Sequence, residues 1–427
     1  MNHRPLPRSH PRTLVRLGVS LAVLSVAAAA CGGDDDAADT TVAPATTAGS
    51  AATTTAPETT AVAETTAAPG TTTGETTPAP ETAPATTMPP GDGQTLAETD
   101  PERCAENQSV GTITYLSSFD FAAAASIIDV IVAEDAGYFD ALCLDVDLKP
   151  SFSTANYPLV ASDQAQFSSA GSYTEVLNFS GEGAEFVVLT DYGKTAIEAL
   201  VTPGDGATEL GALQGGTIGV KGDIPPSIVA LLAGAGLRRG VDYSEILLDG
   251  FDPVAQLATG IDALPVYKSN EPGQLDAAGV AYNLFDPSDA GIPGSFGLIY
   301  TSKSFADAHP TVVEDFTRGA LMGMADAIAD PEAAVDMAVS RIDAAGNSFY
   351  LTRDGELFRW QQEMAEVMTG TPEGEGIGIV DPELFRSAYD AYVAAGVWPD
   401  GAPPFLESYD ADLAAGLYDG TTVVFPG

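Results

Sequence analysis

The chain has 427 residues, of which 60 are acidic and 17 are basic, and its formal net charge is −43 at pH 7. A surface this acidic repels nucleic acid and anionic lipid, which argues against a nucleic-acid-binding protein. The same charge suits solubility in a salty or extracellular medium and leaves the ligand undefined.

The N-terminus has the pattern of an export signal. Arginines precede an apolar segment, residues 17–30, that is too short to span a bilayer as a helix. The segment ends in "AAAAC", which resembles the lipobox of bacterial lipoproteins, in which the cysteine is lipidated. We therefore expect residues 1–30 to be a signal peptide and Cys31 to anchor the chain to the outer face of the cell membrane. Ala28 stands where Leu or Val is usual, so conventional cleavage remains the alternative.

A long polar segment follows the signal. Residues 32–100 are dominated by Thr, Ala and Pro and contain no Lys or Arg. Such a segment buries too little surface to offset its ordering entropy, so we expect residues 31–102 to be a disordered tether. The globular body then runs from about Arg103 to Gly427, a length that suits two lobes better than one core.

Strand-like and helix-like segments alternate in the first part of this body. The apolar strand "TITYL" precedes "AAAASIIDVIVAEDAGYF", whose apolar residues recur at helical spacing, and "LDVDLKP" then alternates as a strand. Further strand-like segments are "AQFSSA", "EFVVLTDY", "TIGVKG" and "SEILLDG". This alternation predicts an α/β protein with mostly parallel sheets flanked by helices.

Pro- and Gly-rich segments mark where the chain would cross between lobes, at residues 201–222 and 286–301. We therefore expect a first part of lobe 1 at residues 103–202, lobe 2 at residues 203–288, and a return to lobe 1 with C-terminal helices at residues 289–427. In that last part, apolar residues spaced four apart and repeated Asp-Pro-Glu starts predict helices with ordinary core faces.

Cys104 and Cys143 are the cysteines beyond the anchor, an even pair in an exported chain. One precedes the first predicted strand and the other opens the second. If these strands are parallel neighbours, both cysteines lie at the same end of the sheet. We predict a structural disulfide between them, because a redox role would want a close C-x-x-C pair, which the sequence lacks.

The sequence offers little for catalysis. His309 is the one histidine beyond the signal, and it precedes Pro310 at a predicted helix start, where a surface or capping role is expected. No His or Cys cluster has metal-ligand spacing, and neither G-x-x-x-x-G-K-[ST] nor G-x-G-x-x-G occurs. At this acid content carboxylate pairs arise by chance, so a carboxylate hydrolase is disfavoured but stays open. We expect no enzymatic activity, no metal and no cofactor.

The segment "EDAGYFDALCLDVDLKPS" resembles the periplasmic substrate-binding proteins of ABC importers that bind thiamine-pyrimidine precursors, alkanesulfonates, nitrate or riboflavin. In that family the first helix ends in Gly-Tyr-Phe, here residues 137–139, and a strand of the form L-D-V-x-L follows, here residues 144–148. The likeness continues through "LQGGTIGVKGD", "LATGIDALPVYKSNEPGQL" and "HPTVVEDFTRGALMGMADAIADPEAAV". It implies a two-lobed periplasmic-binding-protein fold of type II.

The segment "DALPVYKSNEPGQL" is most similar to the pyrimidine-binding branch, in which an aromatic residue and a glutamate follow a strand. Ligands of open α/β sheets bind at the carboxyl ends of strands. Tyr267 could stack on a flat ring, Glu271 could accept from ring amino groups, and Asn270 could donate or accept. The alternative is a polar turn near the hinge, with Glu271 solvated.

Other strand ends should supply the facing wall of the cleft. For each residue ordinary loop packing is the alternative, but aromatic side chains recur at these positions and suit a flat heteroaromatic ligand. The candidates are Phe119, Asp120, Asn156, Tyr157, Ser169, Tyr192 and Lys221.

These features predict a monomeric lipoprotein that captures a small heteroaromatic nutrient by hinge closure and delivers it to a membrane permease. The loop "SSFDFAAAAS" lacks the Asn and His that the pyrimidine-binding branch often carries, which weakens the case for that particular pyrimidine, and the ligand class therefore includes riboflavin-like compounds. A sulfonate or nitrate, held by Lys221 and Lys268, is an alternative. A pyrimidine synthase of the same fold is a weaker one, since its cysteine-rich motif is absent, and a signalling module is a third.

Overall fold

The computed structural model describes residues 99–181 and 184–426. The predicted signal peptide, Cys31 and almost all of the predicted tether lie outside the described residues. The strands, in chain order, are β1 Thr112–Leu116, β2 Asp145–Lys149, β3 Phe167–Ala170, β4 Phe186–Gly193, β5 Glu198–Pro203, β6 Thr217–Val220, β7 Ser244–Leu247, β8 Leu264–Tyr267, β9 Tyr282–Phe285, β10 Phe296–Ser302, β11 Tyr418–Asp419 and β12 Thr422–Val423.

Helices connect the strands and form the C-terminal part of the chain. They are α1 Pro101–Ser109, α2 Ile128–Asp135, α3 Tyr138–Ala141, α4 Ser153–Ala161, α5 Tyr173–Phe179, α6 Pro226–Gly234, α7 Pro253–Leu257, α8 Glu271–Ala277, α9 Lys303–Ala308, α10 Pro310–Ala329, α11 Pro331–Ala345, α12 Arg353–Gly370, α13 Pro382–Ala395 and α14 Leu413–Gly416. Within the described ranges, none of these helices is long and apolar enough to cross a membrane.

The larger sheet has the strand order β2-β1-β3-β10-β4. Strand β1 is parallel to both β2 and β3, and helices cover the crossovers between them, as the alternation of segments predicts. Strand β10 returns from much later in the chain and is antiparallel to β3 and β4. This sheet is therefore mixed, with β10 buried along its whole length.

The remaining long strands form a second group. Strand β5 is antiparallel to β8 and β9, while β6 is parallel to β7 and touches the start of β8 through a bridge from Ile218 to Ala263. Because β5 belongs to this group, the chain leaves the larger sheet between Gly193 and Glu198. That crossing lies a few residues before residues 202–203, where the sequence predicts the boundary between lobe 1 and lobe 2. We therefore propose that this boundary lies near residue 195.

The helical C-terminal part follows the local signals of the sequence. Asp330 caps α11 by accepting from the Ala333 N–H at 3.1 Å, and Asp381 caps α13 in the same way. The ring of His309, at the start of α10, packs on Phe305 with centroids 4.9 Å apart. The core face of α10 is buried at the positions that the four-residue spacing indicates, which are Val312, Phe316, Ala320 and Met324.

Aromatic stacking and a covalent bond hold the N-terminal elements in place. The ring of Phe316 stacks on Phe167 of β3 at 4.0 Å and on Phe139 at 5.1 Å. A disulfide joins Cys104 in α1 to Cys143, immediately before β2, with Cα atoms 5.3 Å apart. Because β1 is parallel to both β2 and β3, the carboxyl ends of these three strands lie at one edge of the sheet.

Candidate functional site

A cavity of about 430 Å³ lies between the larger sheet and the second group of strands. Its walls come from the segments that follow β1, β2, β3, β6 and β8, together with the start of β5, the start of β10 and one face of α12. Carboxyl ends of strands from both groups therefore meet at one cavity, which is where open α/β sheets bind ligands. The volume is that of a small-molecule site.

The loop after β1 forms one wall and contains two residues in the left-handed backbone region. Asp120 has φ 49° and Ser126 has φ 67°, a conformation that side-chain-bearing residues rarely adopt. The carboxylate of Asp120 accepts from Phe121 N–H at 2.8 Å and from the side chains of Asn347 and Tyr350. Asp120 therefore shapes the loop and does not line the cavity, contrary to the expected ligand contact.

Aromatic rings line the cavity and remain open to solvent. Phe119 packs edge-on against Phe152 with centroids 5.8 Å apart, and the guanidinium of Arg359 lies 5.6 Å from the Phe119 centroid. Phe152, Phe251 and Tyr267 are 54%, 68% and 50% exposed. Exposed rings at the walls of a cavity provide stacking surfaces for a flat ligand.

Lys221 and Glu271 both line the cavity, as predicted, but they bind each other. The Lys221 ammonium forms an ion pair with Glu271, whose second oxygen accepts from the Tyr267 N–H at 2.9 Å. Glu271 is 2% exposed, so it is neither solvated nor a free acceptor. The observed role of Glu271 is to join the end of β6 to the end of β8. Within residues 267–271, Tyr267 and Asn270 are the polar residues that stay accessible.

Helix α12 supplies charged residues that the sequence reasoning missed. Glu356, Arg359 and Glu363 lie on one face of the helix, and all three are buried. Glu356 accepts from the Ala123 N–H at 2.7 Å and pairs with Arg359 at 3.1 Å, while Arg359 donates to Asn270 Oδ1 at 3.0 Å. The signal was the i, i+3, i+7 spacing of charges in "GELFRWQQE", a segment that the sequence reasoning did not single out.

Burial sets the electrostatics of this face. It raises the pKa of Glu363 from 4.5 to about 7, against the opposing effects of Arg359 and of the hydrogen bonds from Ala125 and Ser269. Burial acts to lower the pKa of Arg359, but the charges of Glu356 and Glu363 outweigh it and raise that pKa. Arg359 is therefore a permanent cation that is already neutralised by its own helix.

Two further acids line the cavity from different elements. Glu175, in the first turn of α5, accepts from Tyr157 Oη at 3.2 Å and from the Gly171 N–H at 3.3 Å. Glu198, the first residue of β5, accepts from Ser227 Oγ at 3.0 Å. Burial raises the pKa of each carboxyl. Neither residue was singled out in the sequence.

Four of the predicted site residues point into the protein and do not line the cavity. Asn156 donates to Ser117 O at 2.8 Å and to Ser168 Oγ at 3.0 Å, and Tyr157 stacks between Phe179 and Tyr300. The others are Ser169, which is fully buried in β3, and Tyr192, whose hydroxyl donates to Asp129 at 2.7 Å. Tyr157 still acts on the cavity through its hydrogen bond to Glu175.

The structure therefore brings together Phe119, Lys221, Tyr267, Asn270 and Glu271 of the predicted set. Across residues 99–181 and 184–426, no group of three or more His, Cys, Asp or Glu side chains is placed to hold a metal ion.

Comparison with known proteins agrees with this architecture. A family model described as "NMT1/THI5 like" matches residues 124–334. A curated relative, riboflavin-binding protein RibY of Chloroflexus aurantiacus, is 28% identical over 217 residues, which are 49% of this chain and 59% of the relative. The chain thus matches less than two thirds of that relative's length.

Solved structures of similar fold include two periplasmic sulfonate-binding proteins. The putative SsuA of Methylobacillus flagellatus superposes with a TM-score of 0.50 at 14% identity, covering 71% of this chain and 93% of its own. The aliphatic sulphonate-binding SsuA of Escherichia coli gives 0.50 at 11% identity, covering 73% and 94%. At these identities the likeness concerns the fold alone. The family match, the RibY relative and these similar folds together confirm the resemblance to substrate-binding proteins of ABC importers and the periplasmic-binding-protein fold that the sequence motifs indicate.

Proposed function

We propose, from the premise that this chain carries an NMT1/THI5-like domain on a periplasmic-binding-protein fold, that it is the extracytoplasmic solute-binding component of an ABC importer. The observation that supports this most is the cavity of about 430 Å³ at the carboxyl ends of strands from both groups. Ligand enters between two lobes that close on it by a hinge motion, and no bond is made or broken.

The ligand proposed is a small heteroaromatic nutrient, of the thiamine-pyrimidine or riboflavin-like class. Open aromatic rings offer stacking surfaces, and Asn270 and Tyr267 supply polar groups beside them. The RibY relative is named as a riboflavin-binding protein, which agrees with a planar ligand. A sulfonate or nitrate fits this cavity less well, because Lys221 is paired with Glu271 and Arg359 with Glu356.

The proposed setting is a lipoprotein on the outer face of the cell membrane that passes its ligand to a permease. An anchor at Cys31 and a tether rich in Thr, Ala and Pro would let a monomeric body reach that permease. Catalysis is not part of the proposal, since the cavity is lined by acids held in structural hydrogen bonds and His309 packs elsewhere, on Phe305.

Calorimetry and thermal shift on the whole chain test this function. The panel holds thiamine, its aminopyrimidine precursors, riboflavin, taurine and nitrate. We expect saturable binding of one ring compound that weakens about tenfold or more in Tyr267→Ala and in Phe152→Ala, since both remove stacking surface. Leu247→Ala, at a residue of β7 that is 73% exposed, is the control and should bind as the parent does.

Two results would change the conclusion. Tight binding of taurine or nitrate, unaffected by Tyr267→Ala, supports the anion-binding alternative. Absence of binding across the panel contradicts the proposed ligand class.

A further inference from the structure

Two carboxylates face the cavity without a cationic partner at ion-pair distance. In the described ranges, the cations around the cavity pair with other acids: Lys221 with Glu271, Arg359 with Glu356, and Lys268 with Asp286 and Glu366. The hydrogen bonds found for Glu175 and Glu198 come from neutral hydroxyl and backbone donors. Each keeps acceptor capacity, because a carboxylate has two oxygens with about four lone-pair positions.

These two acids come from opposite sides of the cavity. Glu175 follows β3 of the larger sheet, and Glu198 begins β5 of the second group. Burial is the largest cause that raises the pKa of Glu175, and the negative charge of Glu198 raises it further. The two carboxylates therefore repel each other across the cavity. Like charges on two closing surfaces oppose closure unless a positive or proton-donating group lies between them.

A third group in the same cavity awaits a hydrogen-bond partner. Ser126 is 1% exposed and lines the cavity, and its Oγ has no hydrogen-bond partner among the described residues. Its φ of 67° places that hydroxyl in a strained part of the loop after β1. A buried, unpartnered hydroxyl in a native site indicates a ligand or water that satisfies it.

We propose that the ligand carries a cationic or N–H-rich group, of the amidine or protonated aminoheterocycle class, which binds between Glu175 and Glu198. This rests on the proposed function, and it names the feature by which the cavity selects its ligand. The flat ring stacks on Phe119 and Tyr267, the N–H donors bridge the two carboxylates, and Ser126 Oγ meets a polar atom of the same ligand. Phosphate esters and sulfonates are excluded, because their charge adds to that of the two acids.

Three probes of nearly the same shape test the charge preference: benzamidine, benzamide and benzoate, which are cationic, neutral and anionic at pH 7.5. We expect benzamidine to bind the whole chain about tenfold or more tightly than benzamide, the size of one charge-assisted hydrogen bond. Benzoate should show no binding. Glu175→Gln and Glu198→Gln should each reduce the preference for benzamidine over benzamide about tenfold.

Glu373→Gln is the matched control, since it removes the same charge at an exposed position outside the cavity. A thermal melt of each variant separates loss of binding from loss of folding. Two variants at separate elements keep the test valid if one of them fails to fold.

The outcomes separate the two proposals. Equal binding of benzamidine and benzamide, or tighter binding of benzoate, overturns the inference. If a nutrient of the earlier panel binds but the preference for benzamidine is absent, the inference fails and the binding function stands. If neither set of compounds binds, both are wrong.

Discussion

Glu363 of α12 accepts a hydrogen bond of 2.7 Å from the backbone N–H of Ala125, in the loop after β1. Its other oxygen accepts from Ser269 Oγ at 2.8 Å, in the segment after β8. One buried carboxylate therefore joins a C-terminal helix to both walls of the cavity. The geometry of the cavity therefore depends on Glu363, which is more than 230 residues further along the chain than the loop it holds after β1.

Replacing Glu363 should change how stability depends on pH. Burial raises its folded pKa to about 7 from 4.5, so the native state binds more protons between these values. The contribution of Glu363 to the free energy of unfolding is thus fully present below pH 4.5 and is lost as pH rises through about 7. Between pH 5 and pH 8 the free energy of unfolding should fall less in Glu363→Gln than in the parent. The difference between the two falls should be at most about 3 kcal/mol. Denaturant unfolding at both pH values measures it.

Glu373→Gln serves as the control for this prediction, because it removes one acid at an exposed position. It should reproduce the pH profile of the parent. Parallel profiles for Glu363→Gln and the parent would show that Glu363 has an ordinary pKa in the folded protein.

The Lys221–Glu271 ion pair should be energetically coupled. Glu271 is 2% exposed, so removing Lys221 leaves a buried carboxylate with a single backbone donor. We expect Lys221→Met to destabilise the fold by about 1–3 kcal/mol, and the double variant with Glu271→Gln to be more stable than additivity predicts. A double-mutant cycle by denaturant unfolding measures the coupling. Additive effects would mean that the pair is not formed in solution.

Ser126 should tolerate glycine better than alanine. Its φ of 67° is strained for any residue with a Cβ, and its Oγ has no partner within the described ranges. We therefore expect Ser126→Gly to be about 1 kcal/mol more stable than Ser126→Ala, because only glycine removes the strain. Thermal unfolding of the two variants compares them directly. The reverse order would show that the loop does not adopt this conformation.

Reducing the disulfide should weaken the fold. Cys104 and Cys143 are 39 residues apart in the chain, so their bond restricts the unfolded state. We expect reductant to lower the free energy of unfolding by about 2–4 kcal/mol. The double variant Cys104→Ser with Cys143→Ser should be insensitive to reductant and about as stable as the reduced parent. A parent that unfolds identically with and without reductant would argue that the bond does not form.

Local sequence patterns determined the elements and much of one wall of the site. The alternating segments predicted β1 to β4, β6 and β7, and the Asp-Pro-Glu starts predicted the capped ends of α11 and α13. The segment of residues 262–275, which contains β8, was predicted to contribute to the site, and its Tyr267 and Asn270 line the cavity. These features follow from hydrogen bonds and side-chain periodicity within about ten residues, which a sequence displays directly.

Tertiary structure alone decided which side chains face the cavity. Whether Asn156 or Phe152 points inward depends on how α4, which begins directly after Phe152, packs against the sheet and its neighbouring elements. Glu198 became a cavity residue because β5 pairs with β8 and β9. Arg359 and Glu363 entered the site because α12 packs beside it after more than 150 further residues of chain. Such long-range pairings have no local pattern, because they depend on how distant surfaces bury one another.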